Sequence, residues 1–237
     1  MDVIKIKYCF DLDRSWSEVF DLELDAKTLD LINRPSNDLP EWTRLEVHQC
    51  SHCPFTSDTT PHCPVAVCLS QVIGRFANVI SHDKIRLEVI TDERTVTQNT
   101  TAQKGISSLA GVLIVASGCP HTGYFKPMAR FHLPLASEQE TFYRATGMYL
   151  LAQYYLRREG RNSELGLEGL KQLYKNLHLL NTMIAERIRM ATTTDSSVNA
   201  VILLDMISNI VPLILDEQLN KLRHLFESYF SDSKMKG

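Results

Sequence analysis

Residues 3–12, VIKIKYCFDL, alternate between two sides. Ile4, Ile6, Tyr8, Phe10 and Leu12 fall on one, and Lys5, Lys7, Cys9 and Asp11 on the other. A period of two describes a strand with one buried face. Asp13, Arg14 and Ser15 supply turn chemistry, and 19–24 alternates again, which predicts a hairpin. AKTLDLI (26–32) reads as a short helix and NRPSNDLP as a loop. TRLEVHQ (43–49) is expected as a third strand delivering Cys50 at its end, and KIRLEVIT (84–91) as a fourth.

Beyond residue 100 the period changes to helical. In QKGISSLAGVLIVASG, Ile106, Leu109, Val112 or Leu113, and Ala116 share a face, and Gly118 is a C-terminal stop. The β-branched run 112–115 leaves a buried strand as the alternative. Ser137 and Glu140 have capping-box spacing, opening a helix to about Arg158, before Gly160. Ser163 is expected to open a longer helix with Leu170, Leu173, Leu177, Leu180, Ile184 and Ile188 as its stripe. TTTDSS breaks it, and a further helical segment follows, kinked at Pro212. The fold class expected is α+β. A small N-terminal antiparallel sheet precedes a helical domain, with a Cys-rich metal site at the junction. Residues 1–99 form the α+β region carrying most metal ligands, and 100–237 the mainly helical region contributing one remote Cys ligand.

Composition narrows the function. A net charge of -3 gives no pull toward nucleic acid or an anionic membrane. The N-terminal MDVIKIKYCFDLD lacks the apolar core of a signal peptide. VILLDMISNIVPLIL is interrupted by Asp205, Asn209 and Pro212, a poor membrane span. These features lead to the expectation of a cytoplasmic protein with reduced thiols, in which clustered cysteines are ligands or catalysts rather than disulfides. A chain of 237 residues can bury a core without staples.

Four of the six cysteines lie in HQCSHCPFTSDTTPHCPVAVC, 48–68, and another in SGCPHTG, 117–123. Cys50 and Cys53 have the C-x2-C spacing that lets two thiolates of one tight loop reach one centre. Cys63 precedes Pro64 at an expected helix start, where the dipole and free N–H groups favour a thiolate. Cys119 follows the Gly118 stop. Cys50, Cys53, Cys63 and Cys119 are therefore the metal ligands expected. Cys68, about 500° around the helix from Cys63, reads as core, and Cys9 as an ordinary strand residue.

Pro54, Pro64 and Pro120 each follow one of these cysteines, as a proline ends the bacterial ferredoxin run. Pro54 cannot supply the positive φ and free N–H usual after the second cysteine of a zinc knuckle, and no second C-x2-C pair exists. The cofactor expected is one [4Fe-4S] cluster for electron transfer or redox sensing, with a redox partner protein. The alternative is a zinc-stapled binding module without catalysis. His62 and His121 are substitute ligands or hydrogen-bond neighbours, and His48 and His52 also adjoin cysteines. A third reading is an enzyme using the 119–132 loop, with Tyr124, Lys126 and Arg130 as substrate or proton contacts and His132 beside them. A Cys–His nucleophile pair from Cys119 or Cys63 with His121 or His62 ranks below it. The leucine stripe offers a homodimer seam, but at fewer than three heptads it fits packing within the chain better.

Overall fold

A computed structural model describes residues 2–12, 16–76, 78–192 and 195–231. The turn expected at 13–15, part of the TTTDSS break (193–194) and the polar tail from 232 onward lie outside the described residues. β1 (Val3–Leu12) and β2 (Trp16–Asp25) form the expected hairpin. β3 (Lys84–Thr91) pairs antiparallel with the other edge of β1, and β4 (Thr95–Thr101) with β3, giving the order β2-β1-β3-β4. Antiparallel pairing throughout, with helices following, bears out the α+β class. β4 was not expected: TVTQNTT has almost no apolar signal, as suits an edge strand facing water.

The alternation in β1 is realised as predicted. Ile6, Tyr8 and Phe10 are buried, and Phe10 meets Phe20 and Phe76 edge-on. α1 (Pro64–Ile73) and α2 (Ala102–Val115) cover this face. At Gly105 the approach is so close that a Cβ would lie 2.8 Å from Ile85 Cδ1 and 2.9 Å from Phe10 Cε1. The buried-strand alternative for 112–115 does not occur.

α3 (Lys126–Arg130) leads to α4 (Glu138–Arg158), whose capping box forms as predicted: Glu140 N–H donates to Ser137 Oγ, and Ser137 N–H to the Glu140 carboxylate. α5 (Glu168–Ala191) begins five residues after Ser163. α6 (Ser196–Leu222) runs on through Pro212, and α7 (Glu227–Ser231) is the last helix among the described residues. Leu180, Ile184 and Ile188 of α5 join Val198 and Val201 of α6 in one core with the sheet, so the stripe is spent within the chain. A second apolar cluster gathers Phe142, Tyr149, Leu170, Tyr174, Val211 and Leu215. By length and composition the helical stretch Ser196–Phe230 could cross a membrane, with a third of its most apolar window buried.

Two segments differ from expectation. AKTLDLI is a tight turn: Asp25 Oδ1 accepts the N–H groups of Lys27 and Thr28, and Leu29 takes a left-handed conformation (φ 58°). An aspartate that caps its own backbone offers the chain an alternative to a helix. TRLEVHQ is not a strand. Its alternation is real in that Leu45 is buried, but the chain turns at 44–47 and His48 is left-handed (φ 42°). The carbonyls that a neighbouring strand would have taken are taken by one arginine.

Candidate metal centre

Between β2 and α1 the chain folds back on itself. Leu45 N–H donates to Pro61 O (2.9 Å) and Cys63 N–H to Thr43 O (2.8 Å), flanking an isolated bridge between Arg44 and His62. This pairing sets Cys63 at the start of α1, with Pro64 as its first helical residue, as the sequence predicted. At the tip of the excursion Cys53 N–H donates to Cys50 O (3.0 Å), closing the C-x2-C turn, and Gln49 Nε2 donates to Phe55 O (3.0 Å).

Arg187 of α5 holds this excursion in place. It is 1% exposed. Nη1 donates to Trp42 O (3.1 Å) and Arg44 O (2.6 Å), and Nη2 to Leu45 O (2.8 Å). Burial lowers its pKa, while Cys63, Cys50 and Cys53 act in the opposite direction. A guanidinium is thus lodged beside three of the four expected ligands. A readable signal existed: Arg187 stands seven residues after Leu180 and three after Ile184, a charge on the buried stripe.

The remote cysteine comes back to this place. α2 ends at Val115, and Gly118 turns with φ 86°. Thr122 Oγ1 donates to the carbonyls of Ile114 (2.9 Å) and Cys119 (3.0 Å), fixing the loop. His121 Nε2 then donates to His52 O (2.8 Å), and the two imidazole rings stand 4.0 Å apart. The 119–122 loop is thereby fastened to the residue inside the C-x2-C turn.

The thiols sense one another. Burial pushes Cys50 up to about 12, and Cys63, Cys119 and Cys53 each add to the rise. Burial likewise pushes Cys119 up to about 11, against the backbone N–H groups of His121 and Thr122 that face its sulfur. All four cysteines are half-buried and free of disulfides. Cys68 is fully buried in the core, as expected of its helix face, although Cys63 still contributes to the rise of its pKa to about 12. Cys9 sits in β1 opposite Val19 and Glu88. As the side chains stand, no three His, Cys, Asp or Glu among the described residues are grouped closely enough to hold a metal ion.

The histidines divide into two kinds. Thr43 donates its hydroxyl proton to Pro40 O (2.6 Å), so it accepts from His62 Nδ1 (2.8 Å) and fixes that tautomer. His52, inside the C-x2-C turn, has both ring nitrogens buried without a hydrogen-bond partner among the described residues. The backbone of Asn176 lies near, short of bonding geometry, and burial and the His121 ring hold its pKa low. A neutral imidazole always carries one N–H, so an unmet donor sits beside Cys53. His48 points elsewhere, with Nε2 3.2 Å from Met190 Sδ.

Two charged residues of the 119–132 loop are engaged elsewhere and one aromatic is open to solvent. Lys126 pairs with Asp30 (2.7 Å), Arg130 with Glu93 (3.2 Å), and Tyr124 is 62% exposed. His132 is different. It hydrogen-bonds the Tyr8 hydroxyl, which also meets Ser108 Oγ (3.1 Å). Its ring is enclosed although the residue as a whole keeps some exposure, and burial, with the nearby Arg144, lowers its pKa to about 3.

No curated protein and no solved structure matches the chain. One family profile does, described as a domain of unknown function (DUF6901), and it spans residues 6–227. Since that match takes in nearly the whole sequence, the protein belongs to the DUF6901 family.

Proposed function

We propose that Cys50, Cys53, Cys63 and Cys119 hold one [4Fe-4S] cluster, and that the protein uses it for electron transfer or redox sensing with a partner protein. The observation that carries the reading is the return of the 119–122 loop to the C-x2-C turn through the His121–His52 contact. It brings a thiol 56 or more residues distant in sequence within electrostatic range of three local ones. When bound, such a cluster supplies a one-electron couple tuned by hydrogen bonds to sulfur, net charge and solvent exposure. The chain's residues fit those demands. The N–H groups of His121 and Thr122 face the Cys119 sulfur, Arg187 brings a positive charge, and His52 has an unmet donor nearby. Three prolines leave the ligands without competing N–H groups.

A second reading, zinc in the same place as a structural staple, draws on the histidine tautomers. His62 donates through Nδ1 and His121 through Nε2, so each keeps one free ring nitrogen for a Cys3His set. The enzyme reading is weaker, because Lys126 and Arg130 are spent in ion pairs.

Anaerobic purification with iron, sulfide and zinc assays tests the proposal. The expected result is a brown protein with about 4 iron and about 4 sulfide per chain. Serine at 50, 53, 63 or 119 should strip the metal, and serine at 9 or 68 should not. A colourless protein with one zinc per chain would favour the staple. Metal lost from Cys68→Ser but retained in Cys119→Ser would overturn the ligand set.

A further inference from the structure

A cavity of about 550 Å³ lies between α2, the end of α3, α4, α5 and α6, away from the four cysteines. Its walls are mostly apolar, with Val112, Val115, Phe125, Leu133, Leu177 and Leu204 among them. Met206 and Ile207, also in its lining, are exposed. At about 30 Å³ per water-sized group, the volume takes roughly 18 such groups.

Asn181 and Arg144, both at this cavity, each keep polar atoms unpaired among the described residues. Asn181 is 1% exposed, and its Nδ2 donates to Ser208 Oγ (3.1 Å). Ser208 gives its own proton to the carbonyl of Leu204 or Asp205, so it must accept from Asn181. That fixes the amide orientation and leaves Oδ1 buried with nothing bound to it. A buried acceptor left unmet is costly, so a donor is wanted there. Arg144, also on the wall, spends Nη2 on the carbonyls of Met128 (3.0 Å) and Phe131 (2.7 Å). Among the described residues nothing pairs with its Nε or Nη1, and the neighbouring Glu140 is tied into the capping box. A half-buried guanidinium whose Nε and Nη1 are open asks for an anion, and a carboxylate oxygen accepts from either as a single charge-assisted bond, since both forks of the group include the occupied Nη2.

We infer that this cavity binds a hydroxylated acyl carboxylate, with its carboxylate on Arg144, its hydroxyl donating to Asn181 Oδ1 and its hydrocarbon against the apolar wall. Cavities of this size with few convergent polar groups are the usual form of a small-molecule site. The inference is independent of the metal centre.

Isothermal titration of the full-length protein with 10-hydroxydecanoate, decanoate and 1,10-decanediol tests it. The hydroxy acid should saturate at one per chain. Decanoate should bind roughly 5- to 10-fold more weakly for want of the neutral hydrogen bond, and the diol roughly 10-fold or more weakly for want of the charge-assisted one. In Asn181→Leu the preference for the hydroxy acid over decanoate should vanish while binding of decanoate persists. No binding of either acid at millimolar concentration overturns the inference. So does a diol that binds as tightly as the acids, or a hydroxyl preference that survives Asn181→Leu. Should that variant fail to fold, the comparison of the three probes on the native protein still decides.

Discussion

Replacing Arg187 with methionine removes hydrogen bonds to the carbonyls of Trp42, Arg44 and Leu45, at 3.1, 2.6 and 2.8 Å. Each is charge-assisted and worth about 1.5–3 kcal/mol net. Against the sum stands the cost of keeping a guanidinium buried, several kcal/mol, which the variant no longer bears. The orphaned carbonyls then decide the balance at about 1–3 kcal/mol each, less where water reaches them. A net loss of about 3–4 kcal/mol follows, a large share of an ordinary stability of about 5–15 kcal/mol. Equilibrium urea unfolding checks it: at a slope near 3 kcal/mol per molar, the midpoint should fall by about 1 M. Arg187→Lys should lie between, since one ammonium cannot reach three carbonyls through a planar fork. Hydrogen exchange supplies the local test. The N–H groups of Leu45 and Cys63, which join the two arms of the excursion, should exchange faster in the variant, while β1 and β3 amides should not. A loss under about 1 kcal/mol with unchanged exchange at Leu45 and Cys63 would refute the idea that Arg187 stands in for a partner strand.

Gly105→Ala should cost about 1 kcal/mol or more by urea unfolding, because the clash with Phe10 and Ile85 outweighs the gain in helix propensity; a stabilised variant would show that α2 yields freely. His132 titrates at about 3 in the folded chain, below the unfolded value near 6.5, so the unfolded state takes up the proton first. Its contribution is complete above pH 6.5 and is lost as pH falls toward 3, by about 2 kcal/mol on reaching pH 5; His132→Gln should lack that part of the pH dependence. If the proposed centre is loaded, stripping it with a chelator should loosen 44–63 and 117–122 in hydrogen exchange while circular dichroism stays unchanged.

The strands with one buried face could be read because their pattern comes from burial alone: Ile6, Tyr8 and Phe10 in β1, Ile85, Leu87 and Val89 in β3. The capping box at Ser137 was equally legible, being a local device. β4 escaped because an edge strand needs no apolar face. TRLEVHQ misled because Leu45 alternates with polar neighbours while its backbone is satisfied by a side chain 142 residues away, which no local window can see. The four thiols proposed as ligands were chosen on ligand spacing and helix-start chemistry, which are local. The contact that brings Cys119 to them depends on His121 reaching His52 across 69 residues, and only the fold supplies that. Nothing in the sequence singles out Asn181 and Arg144, because the lack of a partner is a property of the packed state.

The same packing explains why a metal at this place would act on two loops and not on the whole fold. The main core runs from Ile6 and Phe10 through α1 and α2 to Ile184 and Val201, and of the cysteines only Cys68 is buried in it. A chain of this length does not require a metal to bury its apolar surface. Cys50, Cys63 and Cys119 pack at its margin. Their backbones are already held by protein contacts: the Cys63–Thr43 and Leu45–Pro61 bonds, the Arg187 clamp, and the His121–His52 bond. Much of the ordering that a metal would otherwise impose is therefore met during folding, and what remains is the convergence of four side chains. Less ordering at the moment of binding leaves more of the ligand–metal interaction to appear as affinity. Loosening the clamp at Arg187 should accordingly weaken metal retention even though Arg187 is no ligand, whereas an equal loss of stability placed at Gly105, inside the core, should leave retention unchanged. Equal weakening by both would mean that the centre depends on global stability and that the two loops are not preset.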